Sequence, residues 1–151
     1  MNKQKYIIEI SDLNKNYLLK NNEKIKIIKN LNLKIKYNSK VSILGPSGSG
    51  KTTLLNILGL LDKEFDGKYY LKNQNILSLS QKQKNKLRGI SIGFIHQFFY
   101  LIPELSAIEN IMLPILINKK ENNAYDIAKK TMIEFGLGDR INHKPLSLSG
   151  G

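Results

Sequence analysis

Residues 45–53 read Gly45-Pro46-Ser47-Gly48-Ser49-Gly50-Lys51-Thr52-Thr53, the pattern G-x-x-x-x-G-K-[ST]. An apolar run, residues 41–44, precedes it, and residues 51–61 follow it with Leu54, Leu55, Ile57, Leu58 and Leu61 at helical spacing. A buried strand, a glycine-rich loop and an apolar helix in this order suit phosphate binding. Glycines let the loop turn its amides inward, where a β-carbon would clash. Those amides and the helix N-terminus present partial positive charge to phosphate oxygens. Lys51 supplies a point charge for the β- and γ-phosphates, and the Thr52 hydroxyl is an oxygen ligand suited to Mg²⁺. The expected ligands are therefore a nucleotide and Mg²⁺.

Upstream of this loop, residues 6–10 and 31–37 alternate apolar and polar side chains, and Lys20-Asn21-Asn22-Glu23 marks a turn before residues 25–28. The first third thus predicts an antiparallel β layer. Downstream, residues 69–71 and 76–77 bracket a turn at 72–75, residues 80–87 read as a polar helix, and residues 90–95 as a second buried strand. Ser106 followed by Glu109 is a capping box that opens a helix through Met112, which Pro114 bends or ends. Ala128, Met132 and Phe135 share one face of a helix over 124–135, with Gly136 at its C′ position.

Composition narrows the function classes. The chain has 151 residues, 41% of them hydrophobic, enough for one domain with a core. It has no cysteine, which excludes disulfides and thiolate metal sites, and His96 and His143 are too isolated for a His-built centre. No apolar run approaches the ~20 residues of a membrane span, and the N-terminus lacks the apolar core of a signal peptide. The formal charge of +12 invites a nucleic-acid partner. Against that, the charge is scattered lysine, the arginines are Arg88 and Arg140, and no arginine forks stand beside aromatic platforms.

Three further features accompany the loop. Gln97 closes Ile92-Gly93-Phe94-Ile95-His96-Gln97, Leu148-Ser149-Gly150-Gly151 follows a helical segment, and Tyr17 precedes the loop. In this order the constellation resembles the ATP-binding cassette (ABC) ATPases, over essentially the whole chain. Phe94-Ile95-His96-Gln97-Phe98 and Leu101-Ile102-Pro103-Glu104-Leu105-Ser106-Ala107-Ile108-Glu109-Asn110-Ile111-Met112-Leu113-Pro114 are similar to the lipoprotein-releasing and macrolide-export branch, and Asn142-His143-Lys144-Pro145 and Leu58-Gly59-Leu60-Leu61-Asp62 lean toward its lipoprotein-releasing (LolD-like) type. His96 departs from the Tyr or Phe usual there.

The resemblance implies an α/β P-loop NTPase fold, the N-terminal part of an ABC nucleotide-binding domain: an antiparallel β layer, an incomplete central sheet and a helical subdomain. It implies a β layer and loop core over 1–91 and a Gln97-bearing helical subdomain over 92–151. Tyr17 would stack on adenine. Gly45, Ser47, Gly48, Ser49, Gly50, Lys51, Thr52 and Thr53 would hold phosphates and metal. Gln97 would reach Mg²⁺ or the attacking water. Ser149, Gly150 and Gly151 would contact the γ-phosphate bound by a second, identical protomer. The implied partners are integral-membrane permease subunits, docked near Gln97 and residues 111–117, with the chain peripheral to the cytoplasmic face of the inner membrane. A macrolide or peptide exporter ATPase, a DNA-repair ABC ATPase and a non-functional gene remnant are the alternatives. The family's apolar strand ending in Asp-Glu and its switch histidine are not found in these residues. The expectation is a chain that stops inside its signature, binds nucleotide without multiple turnover, and is marginally stable because a sheet edge stays open.

Overall fold

The structure is a computed structural model that describes residues 5–119 and 123–149. It divides into two compact units, Met1–Gly93 and Phe94–Gly151.

The first unit is built on a four-stranded antiparallel sheet. Strand β1 (Tyr6–Leu18) pairs with β2 (Lys24–Lys36) on one side and with β3 (Asp66–Leu71) on the other, and β4 (Gln74–Asn75) extends β3, giving the order β2-β1-β3-β4. The turn between β1 and β2 closes through the Leu19 amide donating to the Glu23 carbonyl at 2.8 Å, with Asn22 at φ 63°. Lys72 (φ 50°) and Asn73 (φ 63°) carry the left-handed conformations of a tight hairpin between β3 and β4.

Both long strands run further than their apolar alternation indicates, through Asp12–Asn16 and its partner segment. The reason is a reciprocal asparagine arrangement. Asp12 (φ 51°) and Asn30 (φ 45°) sit where the β1–β2 register shifts. The Asp12 amide donates to Asn32 Oδ1 at 3.1 Å and the Asn30 amide to Asn14 Oδ1 at 3.0 Å. Side-chain carbonyls thus replace the ladder acceptors that a bulge removes.

Helix α1 (Lys51–Leu58) lays Ile57 into the core formed by Ile10, Leu13, Ile28, Leu60, Tyr69, Leu71 and Ile76. Tyr69 is fully buried, and its phenol donates to the Leu58 carbonyl at 2.7 Å, tying β3 to the end of α1. Burial pushes that phenol's pKa above its ordinary value. The helix stops at Leu58 rather than Leu61, because Gly59 caps it and Leu60 turns to φ 58°. Helix α2 (Gln81–Ser91) opens on a capping box of Ser80 and Gln83.

Two expectations fail in this unit. Residues 41–44 form no strand, with Val41 and Leu44 exposed, and of residues 90–95 the first two finish α2 while 92–95 belong to no helix or strand, leaving Ile95 fully exposed. An apolar run becomes a central strand only when neighbours complete its ladder, and no described strand lies beside either segment.

In the second unit, α3 (Ala107–Lys119) packs on α4 (Ala124–Glu134) through Ala107, Ile108, Ala128 and Met132, where the alanines let the helices approach. Pro114 does not end α3, which runs to Lys119. Its start is held from outside: the Ala107 and Ile108 amides donate to the His143 and Ile141 carbonyls. Gly136 (φ 72°) closes α4, with its amide on the Ile133 carbonyl and the Leu137 amide on the Met132 carbonyl at 2.8 Å, a Schellman arrangement. Phe135, expected on the apolar face, occupies the C-cap instead and is 77% exposed.

The capping box at Ser106 forms, with the Ser106 amide and hydroxyl both donating to Glu109 Oε2 at 2.7 and 2.6 Å. Those bonds hold the Glu109 carboxyl below its ordinary pKa of 4.5. A lowered folded pKa stabilises the helix start above the unfolded value, and this is lost as pH falls through the folded one. We expect α3 helicity to fall with acid below about pH 4.5 in the wild type. Glu109→Gln should flatten that dependence in far-UV dichroism; an unchanged acid profile in the variant would contradict the assignment.

Candidate nucleotide-binding site

The loop at 45–50 is assembled from backbone conformations that glycine adopts readily. Gly45, Gly48 and Gly50 have φ of 155°, 77° and 87°. A β-carbon on Gly45 would lie 2.8 Å from Ser49 Oγ, and one on Gly50 would lie 3.0 Å from Ile27 Cγ2 on β2. The loop is therefore seated against the sheet, and Gly50 is the residue that lets α1 begin there. No acidic residue occupies the first turn of α1, so nothing opposes an anion at its N-terminus.

Lys51 folds back over the loop. Its ammonium donates to the Gly45 carbonyl at 2.9 Å and the Pro46 carbonyl at 2.6 Å. Thr52 is exposed, Thr53 is half-buried, and Ser47 and Ser49 are exposed on the loop. The cationic group, the loop amides and a hydroxyl are thus gathered at one helix N-terminus. The donor set fits a nucleotide phosphate with a hard divalent cation, which prefers oxygen ligands.

A family profile described as ABC transporter matches residues 28–151. The chain belongs to the ABC transporter family. Among curated ABC proteins it is 46% identical over 129 residues to the lipoprotein-releasing system ATP-binding protein LolD of Francisella tularensis, covering 84% of this chain and 56% of the relative. LolD of Aquifex aeolicus is 44% identical over 126 residues, covering 83% and 56%, and that of Pseudomonas fluorescens is 39% identical over 149 residues, covering 98% and 65%. The dimeric post-hydrolysis structure of the cassette MJ0796 bound to ADP and Pi superposes with a TM-score of 0.84 at 38% identity, over 95% of this chain and 63% of that one. The chain therefore spans about half to two thirds of the length of the ABC relatives it matches. The α/β fold of an N-terminal ABC cassette is shared with them.

Tyr17, near the end of β1, lies in the same unit as the loop and is 43% exposed. Gln97 and Ser149 belong to the second unit and are exposed, while Gly150 and Gly151 lie outside the described residues. Gln97 does not follow a strand: residues 92–96 belong to no helix or strand. Leu148, beside Ser149, packs onto the α3–α4 core after a short 3₁₀ turn over Pro145–Ser147. His96 is held by aromatic neighbours, stacked on Phe94 at 5.2 Å and edge-on to Tyr100 at 4.9 Å.

Two residues outside the loop, one in each unit, carry structural roles. Lys15 is 2% exposed and donates to Asp62 Oδ1 at 2.9 Å. Asn110 holds the segment before α3 in place, accepting from the Ile102 amide at 2.8 Å and donating to the Ile102, Leu105 and Ser106 carbonyls. A lysine two residues after buried Leu13 on a strand is a signal that the position faces inward; an asparagine inside a helix gives no such signal.

No helix among the described residues is long and apolar enough to cross a membrane. Among the described residues there is no cluster of three or more His, Cys, Asp or Glu suited to a metal ion.

Proposed function

We propose that this chain is the nucleotide-binding part of an ATP-binding subunit that powers lipoprotein release, as the names of its relatives say of those proteins. The observation that carries the reading is the glycine loop seated on β2, with Lys51 folded over it at the start of α1. In this reading 1–91 is the β layer and phosphate-loop core, and 92–151 carries Gln97 and the helical subdomain.

The chemistry follows from the groups present. The Gly45 and Pro46 carbonyls hold the Lys51 ammonium beside the loop. A phosphate oxygen is a stronger, charged acceptor and draws the ammonium toward it. Amides of Ser47, Gly48, Ser49, Gly50, Lys51 and Thr52 then take the remaining phosphate oxygens, with Thr53 on the same turn. The Thr52 hydroxyl and the Gln97 amide oxygen are the groups that would hold Mg²⁺, which neutralises phosphate charge when bound. Tyr17 is the adenine platform. Ser149, Gly150 and Gly151 serve the γ-phosphate of a second copy; MJ0796 is itself described as dimeric. Permease subunits at the cytoplasmic face of the inner membrane complete the system, which makes the chain a peripheral membrane component.

Orienting the attacking water needs a carboxylate, and no apolar run ending in Asp-Glu occurs in these residues. The 151-residue chain is therefore expected to bind ATP·Mg²⁺ without multiple turnover. Equilibrium titration with a fluorescent ATP analogue, beside a phosphate-release assay, tests both parts. Lys51→Ala should weaken binding at least about tenfold, the scale of one lost charge-assisted contact. Equal affinity in wild type and Lys51→Ala would overturn the site, and Lys51-dependent multiple turnover would overturn the expectation of no hydrolysis.

A further inference from the structure

Lys15 is the one buried charged residue among the described residues, and the phosphate loop makes no use of it. Its ammonium meets two groups at once: the Asp62 carboxylate at 2.9 Å, and the ring of Tyr17, whose centroid is 4.8 Å away. The Tyr17 hydroxyl reaches Asp62 Oδ2 at 3.5 Å. Lys15 and Tyr17 are two apart on β1, so they rise from the same face. Asp62 comes from the segment after α1, the helix that starts at the phosphate loop. The ammonium lies over one face of the ring and is buried, while Tyr17 as a residue remains 43% exposed, so part of its side chain is accessible to a ligand.

We propose that the Lys15–Asp62 ion pair is a positioning device for base recognition: it fixes the Tyr17 ring and presents its outer face to the adenine of the bound nucleotide. This rests on the reading of Tyr17 as the adenine platform. An exposed tyrosine on a strand end is free to change rotamer, and stacking would then have to order it. A cation held under one face removes that freedom, through the attraction of the ring quadrupole. It also draws π density inward, so that the outer face repels the electron-rich face of a purine less. The carboxylate keeps the ammonium in place, and its segment links the platform to the end of the phosphate-binding helix. Neither Lys15 nor Asp62 touches nucleotide; both act through Tyr17.

The test separates base from phosphate. Affinities for ATP and for inorganic tripolyphosphate, which has no base, are measured by competition with a fluorescent ATP analogue. The variants are Lys15→Met/Asp62→Asn, which leaves no buried charge, Tyr17→Leu, and all three substitutions together. The double variant should lose about fivefold to tenfold in ATP affinity while tripolyphosphate affinity stays at the wild-type value. Tyr17→Leu should lose a similar factor, with no further loss in the triple variant. The inference is overturned if Tyr17→Leu weakens ATP but the double variant does not, if tripolyphosphate weakens equally, or if the losses multiply in the triple variant. Wild-type ATP affinity in Tyr17→Leu would instead reject the platform itself. Should the double variant not fold, Asp62→Glu keeps both charges and displaces the ammonium by a methylene; the same split between ATP and tripolyphosphate is expected, and its absence is decisive against the proposal.

Discussion

Gly67→Val is expected to unfold the β layer at a urea concentration well below that of the wild type, with a loss of about 3–5 kcal/mol. Gly67, the second residue of β3, has φ 109°, a backbone conformation that L side chains rarely adopt. A β-carbon there would lie 2.5 Å from the Asp12 carbonyl oxygen and 2.8 Å from the Asp12 carbonyl carbon and the Ser11 oxygen. Those are backbone atoms of β1 at the bulge, fixed by the asparagine pairs across β2, so they cannot yield as a side-chain tip would. Gly48→Ala is the matched comparison. It has a positive φ of 77° but nothing within 4 Å of the added carbon, and should lose only the ~1 kcal/mol of left-handed strain. Equal losses in the two variants would show that close approach at Gly67 is not what the sheet depends on.

Asp62→Ala is the second large effect. It leaves the Lys15 ammonium, 2% exposed, with no carboxylate in a site lined by the core. Removing one partner of a buried pair typically destabilises by about 3–5 kcal/mol, while replacing both by apolar groups is often neutral or better. Asp62→Ala is therefore expected near the lower end, about 3 kcal/mol, because Asp62 itself is 16% exposed. Lys15→Met/Asp62→Leu should recover most of that loss. Chemical denaturation of the wild type, Asp62→Ala and Lys15→Met/Asp62→Leu measures it; a double variant no more stable than Asp62→Ala would mean that the unpaired ammonium is not the source of the effect.

How far these features were legible follows from the kind of signal each one leaves. The phosphate loop was readable because each of its constraints is local: glycine at positive φ, lysine at the helix start, apolar spacing behind it. The capping box at Ser106 and the Schellman glycine Gly136 are equally local, since each motif lies within a few residues of its partners; at Ser80 the polar helix was legible and its Ser80–Gln83 capping box comes from the structure. The full length of β1 and β2 was not legible, because Asp12, Asn14, Asn30 and Asn32 interrupt the apolar alternation while satisfying each other across the bulge. Residues 41–44 and 90–95 were misjudged for the opposite reason. Their composition suits a strand, yet a strand is a pairing, and the described residues supply no neighbour. Lys15 and Asp62 lie far apart in sequence, and only the fold brings them together.

Chemical-shift mapping of backbone amides on addition of ATP·Mg²⁺ tests the phosphate site most directly. The largest perturbations are predicted at residues 47–53 and at the Lys51 side chain as it leaves the Gly45 and Pro46 carbonyls, and in Lys51→Ala those at the loop should need at least about tenfold more ATP·Mg²⁺ to reach half-saturation. Saturable perturbations that avoid this loop, or that titrate with the same midpoint in Lys51→Ala, would contradict a nucleotide site at 45–53.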